Sequence, residues 1–322
     1  MKIDLDHLKE LERNIDTIHP EKGKIPIKIL GFGEISLVFE ILGDNSNIAF
    51  KRIPIFDTEE QVRRHIWAYN EYNRILRDEI GLTIPDYDTA WFRRENGKIA
   101  FYCIQEKINP ASVGHKVIHQ FSSIDDLENL ILLALREMQK VWKFNKTNKK
   151  GLEVGLDGQI SNFALLKHNT LKPRVEKNTG LLFLDTSTPM FRINGKEAME
   201  AVLFLKSTPF FLSWLIKAVF LEDVVGRYYD WRRVTIDLIA NFFKEQKPEI
   251  IPRLIKLANS FFKTEASEFE IEPITLKEVI DYYKEDKMIW VIFQNARRID
   301  RYIKIKLLKK EYDFYLPEKI KR

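Results

Sequence analysis

Two features predict an α+β chain built as a small β-rich lobe followed by a larger, mostly helical one: short β-branched and aromatic runs fill its first third, and apolar residues recur at helical spacing through the remainder. Ile27 to Leu30, Leu37 to Leu42 and Ile48 to Ile53 read as three strands in meander order. The segment GDNS, Gly43 to Ser46, is the clearest hairpin turn, because Gly, Asp and Asn accept the backbone angles such a connection demands. From Thr58 to Asp78, Val62, Ile66, Tyr69, Tyr72, Ile75 and Leu76 recur at three- and four-residue steps, and Thr58 with Glu60 and Gln61 makes a helix start. Two further strands, Thr89 to Arg94 and Lys98 to Glu106, flank a turn at Asn96-Gly97. After INPASVGH the pattern changes, and Ile124 to Phe144 carries Leu127, Leu130, Ile131, Leu135, Met138 and Trp142 on one stripe. The lobe boundary is therefore placed at 107/108, dividing the chain into residues 1–107, with a helix at the N-terminus, and 108–322. Gly151 to Phe191 reads as loops and short strands, and Lys196 to Leu308 as helix broken at Pro209, Pro248, Pro252 and Pro273.

Composition narrows the function classes. The 322 residues are 45% apolar and 12% aromatic, enough for a substantial core. A net charge of +5 from 52 basic and 47 acidic side chains is too small a surplus to imply nucleic acid by itself. One cysteine, Cys103, allows no internal disulfide framework and builds no zinc site, so a reducing, cytoplasmic setting is expected. The N-terminus MKIDLDHLKELERNI is charged and amphipathic, unlike a signal peptide. Leu203 to Leu221 approaches membrane-span length but contains Lys206, Pro209 and Lys217, and reads as a buried helix rather than a membrane anchor. The six histidines show no zinc-enzyme spacing, and no repeat or low-complexity tract is present. The basic run Arg297, Arg298, Arg301, Lys304, Lys306, Lys309 and Lys310, interleaved with Ile299, Tyr302, Ile305 and Leu308, reads as an amphipathic helix with a solvated basic face, the alternative being an anionic partner.

Three segments carry chemistry. GFGEISLV, Gly31 to Val38, lies between two predicted strands, where glycines let backbone amides approach phosphate. Ile48-Ala49-Phe50-Lys51 follows in the third strand. Together they resemble the nucleotide lobe of the protein-kinase-like superfamily, whose G-x-G-x-x-G-x-V loop is followed on a later strand by V-A-I-K. Gly31, Gly33 and Val38 match in register, Ser36 replaces the third glycine, and Ala49 stands two before Lys51. In GLDGQISNFAL, Gly155 to Leu165, Asp157 and Asn162 have the separation of the kinase acceptor-orienting Asp and metal-binding Asn. LLFLDTSTP, Leu181 to Pro189, ends an apolar strand on Asp185, where the kinase pattern has D-F-G.

The resemblance covers about Ile27 to Phe191 and implies a bilobal kinase-like fold that binds ATP and Mg²⁺. It implies that Lys51 contacts the α- and β-phosphates and pairs with a carboxylate on the following helix, for which Glu71 is preferred over Glu59 and Glu60 at the helix start. A base would lie against the backbone of Gln105, Glu106 and Lys107, Asn162 and Asp185 would hold the metal, and Asp157 would orient the acceptor hydroxyl. The departures are equally informative. Gly155-Leu156 replaces His-Arg, Gln159 stands where many protein kinases have a phosphate-contacting lysine, Thr186 and Ser187 replace Phe and Gly, and no A-P-E segment follows. They point to the atypical branches, similar to aminoglycoside and choline kinases, and to γ-phosphoryl transfer onto a hydroxyl acceptor, a small molecule rather than a protein. The alternative is a pseudokinase that binds nucleotide, or a partner, without turnover.

Overall fold

Alternation along the strands builds the first lobe. The computed structural model describes residues 1, 3–43, 47–171, 173–209 and 225–317. Strands β1 (Ile27–Phe32), β2 (Leu37–Ile41), β3 (Ile48–Arg52), β4 (Tyr87–Arg93) and β5 (Ile99–Glu106) form one antiparallel sheet in the order β1-β2-β3-β5-β4. Side chains of successive residues point to opposite faces, so β5 is buried on both. Ala100, Tyr102 and Ile104 join Phe39 and Phe50 beneath helix α1 (Leu5–Asn14), while Ile99, Phe101 and Cys103 pack against Val62 and Tyr69 of α2 (Glu59–Arg74). The expected three-strand meander and both later strands are present. The Asn96-Gly97 turn closes with Gly97 at φ 80°, a conformation only glycine adopts freely. Gly43 is likewise left-handed at φ 85°, and the rest of the turn expected there, residues 44–46, lies outside the described residues.

Helix α2 begins at a capping box: the Thr58 hydroxyl accepts from Gln61 N–H while the Gln61 side chain accepts from Thr58 N–H. Its inner face serves both lobes. Ala68 and Tyr72, with Ile75 and Leu76 of the helical turn that follows, belong to the core of the second lobe. That core is organised by α4 (Ile124–Thr147), after a single-turn α3 (Gly114–Val117), and by α5 (Trp231–Lys244), α6 (Ile251–Thr264) and α7 (Leu276–Tyr302). Trp142 stacks on Trp231 at 5.4 Å and 11°. Between α4 and α5 lie β6 (Leu152–Val154), β7 (Phe163–Leu165), β8 (Leu181–Phe183), β9 (Phe191–Ile193) and β10 (Lys196–Glu197), with β7 paired to β8 and β9 flanked by β6 and β10.

Parts of the second lobe depart from the sequence reading. Lys196–Glu197 is a strand and Ala201–Ser207 a 3-10 turn rather than α-helix. Pro252 sits inside the first turn of α6, where its missing N–H would have had no helical partner, so it does not break the helix. Of the apolar stretch Leu203 to Leu221, Leu203 and Phe204 pack against the α2 side of the sheet, and residues 210–221 lie outside the described residues. Among the described residues no helix is long and apolar enough to cross a membrane. The basic run departs from expectation at its first member, while Lys306, Lys309 and Lys310 beyond α7 are exposed as expected. Arg297 is fully buried, while Ile299, Tyr302 and Leu308 are more than half exposed. The cause is the chain beyond α7, which returns onto the helix and the first lobe: Arg297 donates to the Tyr315 carbonyl at 3.1 Å and Arg298 to that of Pro317 at 3.2 Å.

This returning tail meets a buried ion cluster. On the α1 side of β3, Arg52 donates to both carboxylate oxygens of Glu12, at 2.5 and 3.1 Å, and to the Asp313 carbonyl at 2.6 Å; Tyr102 Oη donates to Glu12 at 2.5 Å. Burial opposes the Glu12 charge, but Arg52 and Tyr102 outweigh it and hold the pKa below the usual glutamate value. Removing one member of such a cluster strands the other's charge in the interior. Glu12→Ala should therefore lower unfolding free energy in urea titrations by about 3–5 kcal/mol, with a far smaller change for Glu10→Ala on the exposed side of the same helix.

Candidate functional site

Strand register brings the first group together. Gly31 lies opposite Val38, Val38 opposite Lys51, and Lys51 opposite Cys103, so Val38, Lys51 and Cys103 share the face that looks toward α2. The turn joining β1 to β2 is tight: Gly33 N–H donates to the Ser36 carbonyl at 3.0 Å, and a Cβ on Gly33 would meet the buried Ser36 hydroxyl at 3.0 Å. A Cβ on Gly31 would point into open space, so packing within the chain does not demand glycine there. Ala49 faces Gln105 across β3 and β5. Cys103 is a buried thiol whose pKa burial pushes up to about 12, which removes it as a nucleophile at neutral pH.

The second group sits on the loop and strand ends of the helical lobe. Asp185 follows β8, and its carboxylate receives Lys51 Nζ at 2.8 Å and the Ser187 hydroxyl at 2.9 Å. Burial works against that charge, yet Lys51 and Ser187 keep its pKa below the usual aspartate value. Asn162 is tied on two sides: its Nδ2 donates to the Asp157 carbonyl at 3.1 Å, and its own carbonyl accepts from Leu184 N–H at 2.8 Å. With Nδ2 so engaged, the side-chain Oδ1 is turned away from that bond. Asp157 accepts from Gln159 N–H at 3.2 Å. Its pKa is raised to about 7, first by burial, then by Asp237 and Asp185, against the pull of the Gln159 N–H and of Arg227.

Several expected residues have other duties. Glu71 does not meet Lys51. Its carboxylate is held by Arg74 at 2.7 and 2.9 Å, because Glu71 stands two residues past Tyr69, about 200° round the helix from the buried face. Glu59 pairs with Arg63 and Arg93 instead. Asp185 is the carboxylate partner of Lys51. The side chain of Gln105 reaches across to the Leu184 carbonyl at 3.0 Å and the Thr186 hydroxyl at 3.2 Å. Glu106 N–H and Lys107 N–H already donate to the carbonyls of Asp86 and Asn47, and Lys107 Nζ pairs with Glu40 at 2.5 Å. A base edge would have to displace one of those bonds to use either N–H.

Other residues at the site carry no sequence motif. His65 and Tyr72 lie on the inner face of α2, four residues before and three after Tyr69, so the helical stripe could have flagged them. Tyr72 Oη donates to the Gly155 carbonyl at 2.9 Å, joining α2 to the Asp157 loop. Asp237, in the middle of the apolar helix α5, accepts from Gln159 Nε2 at 3.1 Å and Asn241 Nδ2 at 3.1 Å. A buried Asp and Asn four residues apart inside an otherwise apolar helix were the available signal. Gly155, where the kinase pattern has His, is required by packing: a Cβ there would lie 3.0 Å from the Tyr228 carbonyl.

The residues fit a divalent cation bound together with a polyphosphate. Mg²⁺ takes hard oxygen ligands, usually one or two carboxylates from protein with phosphate and water completing the shell. Asp185 offers a carboxylate next to Lys51, and Asn162 offers an Oδ1 on the loop whose backbone is bonded to Leu184, the residue before Asp185. Among the described residues no three His, Cys, Asp or Glu side chains converge as metal ligands, so the cation would depend on its nucleotide.

A profile for a family of unknown function (DUF6206) matches residues 10–301. The chain belongs to that family. The matched span includes every site residue from Gly31 to Asp237, so the constellation lies within the DUF6206 domain. No curated protein matches the sequence. Among solved structures, WaaP in complex with acyl carrier protein is 14% identical at a TM-score of 0.32, covering 76% of this chain and 89% of that one. The GDP complex of wild-type aminoglycoside 2'-phosphotransferase-IIIa is 13% identical at 0.28, covering 80% and 97%. The GDP complex of a point mutant of that enzyme is 12% identical at 0.31, covering 89% and 98%. Likenesses this distant carry no chemistry across to the DUF6206 chain.

His65 makes the site sensitive to acid. It is packed against Phe56 and Phe101 at 5.1 and 5.3 Å. Burial first, and then Lys51, lower its pKa from 6.5 to about 4. Below pH 6.5 the unfolded chain takes up a proton that the folded one refuses, so stability is lost as pH falls from about 6.5 toward about 4. At pH 5 this costs about 2 kcal/mol. Comparing unfolding at pH 7.5 and pH 5, His65→Gln should lose correspondingly less stability than the wild type; parallel losses would mean that His65 is not the acid-sensitive group.

Proposed function

We propose that the protein transfers the γ-phosphoryl group of Mg·ATP to the hydroxyl of a small molecule. The observation that carries this reading is the meeting of Lys51, Asp157, Asn162 and Asp185 in one region from three separate segments of chain. Lys51 would bind the α- and β-phosphates, released from Asp185 as phosphate replaces the carboxylate. Asp185 and Asn162 would hold Mg²⁺, whose charge offsets that of the phosphates. Asp157 would accept the hydroxyl proton as the acceptor oxygen bonds to the γ-phosphorus and the bond from that phosphorus to the bridging oxygen breaks, releasing ADP. Burial first, and then the charges of Asp237 and Asp185, raise its proton affinity, which suits a base more than a permanently ionised ligand.

A small acceptor is favoured over a protein by what the Asp157 loop lacks. Leu156 holds the position of the arginine that would receive an activation-loop phosphate, and it donates its N–H to the Tyr228 carbonyl at 2.9 Å, packed beneath the segment 227–229. A binding module without turnover would keep Lys51 and Asp185 but need no recessed Asp157.

Thermal denaturation separates these readings. Mg·ATP at a hundred times its Kd should stabilise the protein by about 2.7 kcal/mol, and ATP with chelator by much less. Asp185→Asn should abolish the metal-dependent part. Asp157→Asn should keep the nucleotide shift while lowering phosphate transfer to a panel of hydroxylated metabolites by about 10²-fold or more. Full transfer by Asp157→Asn would remove that residue as the base. No shift with ATP or GTP, with or without Mg²⁺, would end the phosphotransferase reading.

A further inference from the structure

The outward stripe of helix α7 changes character half-way along. Lys277, Asp281 and Lys284 stand on it at three- and four-residue steps and are exposed, with Lys277 bonded to Asp281 at 2.6 Å. A helix on the surface of a globular protein ordinarily carries charge there. From residue 288 onward the same stripe turns apolar. Met288, Ile292, Ile299 and Tyr302 are each more than half exposed, and Val291 is nearly so. At about 3.6 residues per turn these five share an arc of about 100°, and they run for about 21 Å along the helix. The opposite face is the one built into the protein, with Val279, Phe293, Ala296 and Arg297 buried. The returning tail bonds that buried face, through Arg297 and the Tyr315 carbonyl at 3.1 Å, and leaves the apolar stripe open.

The apolar exposure continues past α7. Leu307 and Leu308 are more than half exposed, and Lys306, Lys309 and Lys310 around them are exposed and form no ion pair among the described residues. Lys304, by contrast, is already paired with Asp300 at 2.8 Å. Unpaired cations and open aliphatic side chains therefore share one end of the helix.

We propose that this surface binds an anionic lipid bilayer, the aliphatic side chains entering the acyl boundary while Lys306, Lys309 and Lys310 meet the lipid phosphates and carboxylates. Charge complementarity selects this occupant. A helix with one apolar stripe and lysines beside it lies in the plane of the interface, and α7, with Arg297 and Asp300 buried on its other face, would lie on the bilayer rather than cross it. Lysine stems run along apolar surface while their ammonium groups reach the headgroups, and a tyrosine such as Tyr302 suits the headgroup level. A nucleic acid would use the lysines but leave Met288, Ile292 and Ile299 in water, since such strands are held by phosphate charge and aromatic stacking.

The test is co-sedimentation of the full chain with vesicles of phosphatidylcholine alone and of equal parts phosphatidylcholine and phosphatidylserine. The wild type should bind the mixed vesicles, bind phosphatidylcholine far more weakly, and lose the difference at high salt. Replacing all three lysines, Lys306→Gln, Lys309→Gln and Lys310→Gln, should weaken partition into mixed vesicles about 10²-fold. Ile292→Asp with Ile299→Asp should weaken it about tenfold or more, a loss that attraction of charges alone would not produce. Lys277→Gln, on the charged half of the same stripe, should change it less than about twofold. Matching urea transitions check that the variants fold; where the aspartates destabilise the protein, Ile292→Ser with Ile299→Ser takes their place. A wild type that ignores mixed vesicles, or an aspartate variant that binds them as well as the wild type, overturns the proposal. So does a wild type that sediments as a dimer which the aspartates dissociate, without vesicle binding, since the stripe is then an interface between copies. RNA binding that only the lysine variant loses, again without vesicle binding, assigns the lysines to nucleic acid and overturns it as well.

Discussion

The ion pair between Lys51 and Asp185 is the constraint to which the rest of the site answers. It spans 134 residues of sequence and closes at 2.8 Å, joining the third strand of the sheet to a strand end in the helical lobe. Around it the lobes are joined by neutral hydrogen bonds, from Gln105 to the Leu184 carbonyl and from Tyr72 to the Gly155 carbonyl. Both bond the same short stretches, 155–162 and 184–187, that carry the carboxylates. Ionised groups in a recessed place are stable only when paired. Lys51 and Asp185 meet that condition with each other, and a metal polyphosphate would meet it again with both.

Strand periodicity gives this pair its rigidity. Lys51 and Arg52 are neighbours in β3 and so point to opposite faces. Lys51 looks into the cleft, and Arg52 looks back to Glu12 of α1 and to the Asp313 carbonyl of the returning tail. Both ends of the chain are thus fastened to the residue beside the lysine. Thr17 Oγ1 donating to the Tyr312 carbonyl at 2.6 Å and the contact of Phe32 with Tyr315 at 5.7 Å extend the same seam toward the β1–β2 turn. A tail at this location restrains the strand that aims Lys51 without occupying the cleft.

The sequence was most legible where spacing is fixed by geometry. Alternation disclosed the strands, and Lys51, Asp157, Asn162 and Asp185 were singled out by resemblance to the kinase pattern, the first in a strand and the others on the loops and strand ends that the structure brings toward it. It was least legible where helix phase or distant docking decides the outcome. Glu71 lies in the right helix and faces the wrong way, since two residues of rotation exchange the buried face for the exposed one. Arg297 was assigned to a solvated basic face because the pattern of α7 cannot show that residues 312–317 fold back over it. Asp237 and Tyr228 reach the site from a helix and a turn far along the chain, and local sequence contains no rule that brings them to Gln159 and Leu156.

The departures from the kinase pattern are coupled to one another. Glycine at 155 lets the Tyr228 carbonyl approach to a distance that a Cβ would obstruct, and leucine at 156 offers that carbonyl its N–H without a charged side chain to place. Gly158 is tight in the same way, with Met138 and Val234 side-chain atoms inside 2.6 Å of where its Cβ would lie. Helix α5 and the turn before it are therefore packed directly on the loop, and this close packing delivers Asp237 to Gln159. A lysine at 159 would bring a cation to the buried Asp237 carboxylate, forming an internal ion pair that would hold its ammonium away from any phosphate. Glutamine satisfies Asp237 by a neutral bond and leaves the field at Asp157 to be set by two carboxylates and one guanidinium. The loop reads as a repacked solution in which each substitution follows from bringing α5 close, rather than as a kinase loop that has lost its residues one at a time.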